Sequence, residues 1–147
     1  MVQPATTNEN IEMYLKYVYL LTRDSKEAAR TGELAKHLRV SPASVTEMLQ
    51  KLARMGLLNH TKYQGARLTP KGRRIAVNIL QRHCVMEWFL AKTLKVPRGR
   101  FHDEACQMEH ALSTDTARRL RALTDQPDTC PSCYDLKQLH CKYLISK

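Results

Sequence analysis

Apolar residues recur with the period of an α-helix along the first part of the chain, with polar residues between them. Asn8 or Asn10 can cap a first helix that runs to about Thr22, because a short polar side chain satisfies the free amides of a helix start. Thr31 is placed to cap a second, short helix over Gly32–Leu38. The pattern predicts two amphipathic helices that bury their apolar stripes together.

A third helix and a hairpin follow. Ser41 is a favourable N-cap residue, and Pro42 suits the first position of a helix that runs to about Met55. The chain then predicts two short strands, Leu57–Thr61 and Ala66–Thr69, separated by a turn that contains glycine. Two helices joined by a tight turn and followed by a hairpin form a winged helix-turn-helix.

The second half of the chain is predicted to be helical. Thr69 and Pro70 repeat the cap-then-proline signal and begin a long helix that ends near residue 94, basic at its start and apolar in its second half. Shorter helices are predicted over Arg100–Ala111 and Thr114–Leu123, the latter capped by Ser113. We therefore expect a mainly α fold with a winged helix-turn-helix domain over residues 1–74, a helical domain over 75–126 and a Cys-containing tail over 127–147.

The net charge of +10 is unevenly distributed along the chain. No acidic residue occurs between Glu47 and Glu87. The same stretch carries the basic residues Lys51, Arg54, Lys62, Arg67, Lys71, Arg73, Arg74 and Arg82. A field of one sign in one segment is typical of a surface that binds phosphates, and a winged helix makes double-stranded DNA the expected partner.

Small and hydroxyl side chains, rather than arginines, occupy the start of the third predicted helix. In helix-turn-helix proteins this end enters the major groove, where short side chains allow close approach. Sequence preference would then depend on apolar contacts and DNA shape. The predicted DNA-binding residues of this helix and the wing are Ser41, Pro42, Ala43, Ser44, Thr46, Glu47, Lys51, Lys62 and Arg67.

Several features favour a soluble cytoplasmic protein with no membrane partner. No apolar run is long enough to span a bilayer, and the N-terminal residues lack the basic and then apolar pattern of a signal peptide. The five cysteines are odd in number, so metal or redox use is expected rather than a disulfide framework.

The sequence His-Asp-Glu-Ala-Cys-Gln-Met-Glu-His, residues 102–110, carries the most specific chemistry. In a helix, the spacing i, i+4, i+7 and i+8 places His102, Cys106, Glu109 and His110 on one face. Imidazole, thiolate and carboxylate are all ligands of transition metals. An ordinary amphipathic helix explains one such residue more readily than four, so the stretch predicts metal binding.

His83 and Glu87 lie four residues apart in the long predicted helix and therefore share a face. Alone they would be read as an exposed ion pair, but beside the 102–110 stretch they can share a metal. A catalytic metal also needs an open position and a nearby general base. No separate base or substrate-binding loop is evident, so we expect that the protein is not an enzyme.

The tail contains a second group of possible ligands. Cys130, Cys133 and Cys141 are spaced Cys-x2-Cys-x7-Cys, and His140 precedes the last of them. The first pair has the spacing of zinc and iron–sulfur sites. Free or redox-active thiols explain the same residues equally well. The tail thus leaves open a zinc site, an iron–sulfur cluster or a redox-sensing DNA-binding regulator.

The winged helix, the His-x3-Glu pair and the 102–110 stretch together resemble the diphtheria toxin repressor family of metal-dependent transcriptional repressors, over roughly residues 8–125. The resemblance implies a homodimer that binds a DNA operator when metal joins its DNA-binding and dimerisation modules. It also implies a primary and an ancillary metal site. The primary ligands would be Met13, Cys106, Glu109 and His110, and the ancillary ligands His83, Glu87 and His102.

The identity of the metal depends on two opposed features. The chain is too short for the SH3-like domain of larger members and resembles the two-domain manganese-type regulators, as does its segment 44–52. Manganese-type members, however, have carboxylates where this sequence has Met13, Lys16 and Cys106, and sulfur ligands suit Fe(II) better than Mn(II). We therefore expect an Fe(II)-activated homodimeric repressor of metal-homeostasis genes, with a Mn(II)-responsive regulator of manganese transport as the alternative.

Overall fold

A computed structural model of the protein describes residues 7–123, and this part of the chain is mainly helical, as predicted. Its elements in order are α1 (Thr7–Thr22), α2 (Thr31–Leu38), α3 (Pro42–Arg54), β1 (Leu58–Thr61), β2 (Gly65–Leu68), α4 (Pro70–Trp88), a π-helical segment (Phe89–Thr93), α5 (Arg98–Met108) and α6 (Thr114–Leu123). The chain divides into two compact units after Val77. None of the helices within residues 7–123 combines the length and apolar character needed to cross a membrane.

The first unit is a winged helix-turn-helix. Helices α1, α2 and α3 pack against one another and against the β1–β2 hairpin. Their apolar stripes meet in one core, in which Leu15, Val18, Leu34, Val45, Leu49 and Leu52 are fully buried. Each of these residues lies at a position that the helical period assigns to the inner face, so the sequence pattern predicted this core correctly.

Three predicted N-caps are confirmed. The Ser44 amide donates to Ser41 Oγ at 3.1 Å, the Gly72 amide to Thr69 Oγ1 at 3.2 Å, and the Thr116 amide to Ser113 Oγ at 3.0 Å. These bonds satisfy amides that the first turn of a helix leaves without an intrahelical partner, and so they fix where α3, α4 and α6 begin.

The starts of α1 and α2 differ from the predictions. Helix α1 begins at Thr7, before either predicted asparagine cap. The residue that precedes α2 is Arg30 rather than Thr31, and its amide donates to the Glu33 carboxylate at 3.3 Å. A carboxylate three residues into a helix can bond back to the cap residue, which moves the start by one position.

The wing is anchored by the segment between α1 and α2. Ala29 pairs with Ala66 of β2 through two amide–carbonyl hydrogen bonds of 2.9 Å. Within the hairpin, β1 and β2 are antiparallel, with Thr61 opposite Gly65. Gly65 has a φ of +103°, and a Cβ there would lie 2.5 Å from the Ala29 carbonyl oxygen. The close approach of a third extended segment thus requires glycine at this position.

Gly72 allows α4 to start directly against Leu57, in the segment that links α3 to β1. A Cβ at this position would collide with the backbone carbonyl of Leu57, whereas one at Gly32 in α2 would meet no atom within 4 Å. We expect Gly72→Ala to lower the free energy of unfolding by about 1–3 kcal/mol through overpacking. The matched variant Gly32→Ala should raise it by about 0.5–1 kcal/mol, since alanine is the better helix former. Urea denaturation of both variants measures the difference, and equal shifts would contradict the proposed clash.

In the second unit, α5 packs against the π-helical segment. The long helix was predicted to continue to about residue 94, but only its residues up to Trp88 are α-helical, and a π-helical segment follows. The core of the second unit contains Met86, Leu90, Phe101 and Ala105. Met86 and Leu90, from the apolar second half of the predicted helix, therefore pack within the second unit.

The bounds of α5 correct one premise of the sequence analysis. The helix begins at Arg98 and ends at Met108, so Glu109 follows it as the C-cap and His110 lies in the subsequent turn. The Ala111 amide bonds to the Met108 carbonyl at 3.1 Å and closes that turn. Glu109 still continues the helical backbone, because its amide donates to the Ala105 carbonyl at 2.9 Å, so only His110 departs from the predicted helical face.

Candidate metal centre and nucleic-acid interface

His83 on α4 lies between two carboxylates in the second unit. Its Nε2 atom is 2.9 Å from Glu87 Oε2, and its Nδ1 atom is 2.6 Å from Glu109 Oε2. Glu87 is one helical turn further along α4, as the i, i+4 spacing predicts. Glu109 is supplied by the end of α5, so the imidazole links two helices.

The side chains of Glu87 and Glu109 are both 0% exposed. Removing a carboxylate from water costs several kcal/mol in effect unless opposite charge compensates it. A single imidazole carries at most one positive charge, so His83 cannot neutralise both carboxylates. Two buried carboxylates with an imidazole between them are a donor set that fits a divalent cation.

Cys106 and His102 extend the cluster toward the surface. The Cys106 sulfur lies 3.8 Å from His83 Nδ1 and 3.7 Å from His102 Nε2. One ligand atom from each of these three residues lies within 4.8 Å of the other two. Hydrogen bonding to Cys106, and then to Glu87, raises the pKa of His102 to about 9. His102 thus holds a proton at neutral pH, which metal binding at its ring would displace.

The contacts join the two predicted metal sites. His83 and His102 were assigned to the ancillary site and Cys106 and Glu109 to the primary site, but His83 contacts Glu109 directly and approaches Cys106. His110 Nε2 lies 3.3 Å from Glu109 Oε1 and completes the connected set. The division of these residues between two ions remains a prediction, as does the role of Met13 on α1.

Arg82 was grouped with the DNA-facing basic residues, and this assignment is wrong. The residue is buried, and its Nη1 atom donates to the Leu112 carbonyl oxygen at 2.7 Å. Arg82 thereby holds the turn that follows His110. The sequence signal for such a role was the position of Arg82 between the apolar pairs Ile79-Leu80 and Val85-Met86.

The predicted nucleic-acid interface is accessible in the first unit. Residues 41–44, at the start of α3, and Glu47 are exposed, while Thr46 is half-buried. The remaining basic residues of the acid-free stretch are exposed or half-buried. Lys62 lies in the turn of the wing, and Arg67 lies on β2. Four of these seven basic residues thus lie on the helix and hairpin that were predicted to contact DNA, and the other three lie at the start of α4.

The predicted tail site, with Cys130, Cys133 and Cys141, lies outside the described residues. Of the cysteines that the structure does describe, Cys84 is buried and Cys106 is half-buried. Of these two cysteines, only Cys106 belongs to the group of possible metal ligands formed with His83 and His102.

Family comparisons give the same division of roles along the chain. The iron dependent repressor N-terminal DNA binding domain matches residues 6–66. The iron dependent repressor metal binding and dimerisation domain matches residues 69–135. The winged helix is thus the DNA-binding domain of such a repressor, and the buried cluster lies in its metal-binding domain.

Individual relatives agree with this assignment. An uncharacterised HTH-type transcriptional regulator of Methanocaldococcus jannaschii is 37% identical over 81% of this chain and 95% of its own length. The iron-dependent repressor IdeR of Mycobacterium leprae is 32% identical over 84% of this chain and 53% of its own. The solved structure of a manganese-dependent transcriptional repressor in complex with manganese superposes with a TM-score of 0.76 at 33% identity, covering 82% of this chain and 55% of that one.

This chain spans about half the length of the IdeR and manganese-repressor chains that it matches. The relatives are transcriptional regulators rather than enzymes. The chain belongs to the diphtheria toxin repressor family and is a metal-dependent, DNA-binding transcriptional repressor with a dimerisation domain.

Proposed function

We propose that this protein is an Fe(II)-activated homodimeric repressor of metal-homeostasis genes. The observation that carries the proposal is the Cys106 thiol, which lies within 4 Å of the His83 and His102 imidazoles and is joined through them to buried carboxylates. A thiolate beside imidazoles is a softer donor set than the oxygen-rich sites that Mn(II) prefers. The ligand chemistry therefore favours Fe(II).

The residues that would hold the metal are His83, Glu87, His102, Cys106, Glu109 and His110, with Met13 as a further predicted ligand. Bound Fe(II) would supply the positive charge that the buried carboxylates require. These side chains come from α4, from α5 and from the turn after α5, so filling the cluster restrains that turn against α4. Coupling of about 1–3 kcal/mol between this restraint and DNA binding changes operator affinity about 5- to 150-fold.

A Mn(II)-responsive regulator is the second candidate. The structural likeness to the manganese-dependent repressor supports it. Overall identity leans slightly toward this candidate, because the iron-dependent repressor IdeR is 32% identical and the manganese regulators of solved structure are 33–35% identical. The donor atoms at the cluster are the better criterion, since they contact the ion directly.

Replacing the thiol by a carboxylate tests the metal preference. In anaerobic titrations read by DNA binding, we expect Cys106→Asp to raise the Fe(II) concentration needed for half-maximal binding about tenfold, equivalent to ~1.4 kcal/mol. The same variant should respond to Mn(II) at a lower concentration than the wild type does, because a carboxylate is the harder donor.

Cys84→Ala is the control for this experiment, because Cys84 is the other cysteine of residues 7–123 and lies outside the three-residue ligand group. It should keep the wild-type order of metals even if it is less stable. A Cys106→Asp variant that keeps the wild-type order would contradict the proposed role of the thiol in the choice of metal.

A further inference from the structure

Arg82 carries a positive charge into the interior of the second unit. The residue is 8% exposed, and a guanidinium in a protein keeps its proton. Arginines are seldom buried this deeply unless hydrogen bonds or opposite charges compensate them. Here Nη1 donates to the Leu112 carbonyl oxygen at 2.7 Å, a short, charge-assisted hydrogen bond. The two residues are 30 positions apart, so the bond ties α4 to the segment that follows α5.

The segment that Arg82 holds also carries proposed metal ligands. Leu112 follows Glu109 by three residues and His110 by two. Glu109 Oε2 in turn lies 2.6 Å from His83 Nδ1 of α4. This short stretch is therefore fixed to α4 by a side chain at its beginning and by a backbone carbonyl at its end.

A second contact supports the one made by Arg82. Thr114 Oγ1 donates to Asn78 Oδ1 at 3.4 Å. Asn78 and Arg82 are four residues apart on α4 and so lie on the same face of the helix. Residues 112–114 are thus held by α4 at two adjacent points, which limits how far the preceding turn can move away from that helix.

Arg82 cannot itself bind a metal ion, because a guanidinium has N–H donors and no acceptor. Its contact is with a backbone carbonyl rather than with a ligand side chain, so it acts on a metal through the position of the turn. A site whose donors come from two elements binds more tightly when those elements are held together before the ion arrives. Removing a group that orients metal ligands typically lowers metal affinity about 10- to 100-fold.

We propose that Arg82 is a positioning residue of the metal centre. Its bond to Leu112 holds the turn that carries Glu109 and His110 against the donors of α4 in the metal-free protein, so that binding an ion requires little further ordering. The inference rests on the ligand cluster proposed above, and it does not depend on which divalent metal activates the repressor.

The charge of Arg82 and its positioning role have opposite effects on metal binding. Arg82 is next to His83 in the sequence, and a positive charge by itself weakens the binding of a cation. If charge alone mattered, removing it would strengthen metal binding. If the turn loses its anchor, metal binding weakens. The direction of the change in affinity therefore distinguishes the two roles.

The first test is an anaerobic titration of the metal-free full chain with Co(II). The visible absorption of bound Co(II) reports the ligands and geometry of the site, including coordination by the Cys106 thiolate. Serine replaces the three tail cysteines in every protein compared, so that their thiols do not contribute to the spectrum. The replaced residues are Cys130, Cys133 and Cys141.

Arg82→Met removes the charge and the donors but keeps a long, unbranched side chain. We expect it to weaken Co(II) binding about tenfold or more, and Arg82→Lys, which keeps the charge and a compact donor, to recover part of the loss. Arg82→Gln serves the same purpose if Arg82→Met does not fold. The control is Arg118→Met, which removes an exposed cation paired with Asp115 at 2.6 Å and should stay within about twofold of the wild type. Wild-type or tighter Co(II) binding by the neutral variant of Arg82 would overturn the proposal.

Amide hydrogen exchange in the metal-free protein is the second test, because it locates the effect in the chain. The Ala111 amide closes the turn on the Met108 carbonyl at 3.1 Å, and it should exchange faster in the neutral variant of Arg82 than in the wild type. The Val96 amide, bonded to the Leu90 carbonyl at 2.9 Å in the same unit, should exchange at the wild-type rate. A general loss of stability would accelerate both amides equally, and that result would contradict a positioning role.

Glu109→Gln separates this inference from the proposed ligand set. Undiminished Co(II) binding by Glu109→Gln would contradict the ligand set. Weakened binding by Glu109→Gln together with wild-type binding by the neutral variant of Arg82 would contradict the positioning role alone. Operator binding that responds to Mn(II) rather than Fe(II) would contradict the proposed metal, and both Co(II) comparisons would still stand.

Discussion

Replacing Glu109 by glutamine is expected to abolish metal-stimulated DNA binding while preserving the fold. The side chain is fully buried, and its two oxygens lie 2.6 Å from His83 Nδ1 and 3.3 Å from His110 Nε2. Glutamine has nearly the same shape and can still hydrogen-bond to both rings, but it carries no charge and is a poor metal ligand. The variant therefore removes the charge that the cation would neutralise and little else.

Unfolding measurements with and without Fe(II) separate these effects. A metal at about a hundred times its Kd should stabilise the wild type by about 2.7 kcal/mol and the Glu109→Gln variant hardly at all. Without metal, Glu109→Gln should be at least as stable as the wild type, since one buried charge is gone. Glu104→Gln is the matched control, because Glu104 lies on α5 and is paired with the exposed Arg100 at 2.7 Å. Undiminished stabilisation of Glu109→Gln by Fe(II) would exclude Glu109 as a ligand.

Replacing His83 by leucine should destabilise the metal-free protein by about 3–5 kcal/mol, the range for removing one partner from a buried ion pair. The imidazole lies between Glu87 and Glu109, and leucine of similar volume would leave both carboxylates buried without it. Urea denaturation of the metal-free protein measures the change.

Two further variants test this explanation. His102→Gln should change the stability by less than about 1 kcal/mol, because the His102 side chain is 54% exposed. Adding Glu109→Gln to His83→Leu should restore part of the lost stability, since one of the two buried carboxylates is then replaced by a neutral group. A His83→Leu variant as stable as the wild type would show that the imidazole does not compensate the buried charge.

Local signals account for what the sequence predicted well. The caps at Ser41, Thr69 and Ser113 depend on a few neighbouring residues, and each forms the expected hydrogen bond. The winged helix follows from the helical period and one glycine-containing turn, which are also local. The family resemblance adds the ligand types, because the spacing of the 102–110 stretch is read directly from the sequence.

Tertiary contacts account for what the sequence did not predict. His83 and Glu109 are 26 residues apart, and only the packing of α4 against the end of α5 brings them together. The pairing of Ala29 with Ala66 likewise has no signature in a short polar segment. The sequence also predicted a helix up to Ala111, whereas α5 ends at Met108. A tight turn can continue the helical spacing of side chains for a few residues, so periodicity alone does not show where the helix ends.

The role of the buried cluster is tested most directly by anaerobic titration of the metal-free protein with Fe(II), Mn(II) and Zn(II), with operator binding as the readout. Binding of an ion alone is a weaker criterion, since zinc often binds such ligands tightly. The cluster of His83, Cys106 and Glu109 predicts that Fe(II) raises operator affinity about 5- to 150-fold and does so at lower concentration than Mn(II). Operator binding that Fe(II) leaves unchanged, or that Mn(II) alone increases, would contradict an Fe(II)-activated repressor.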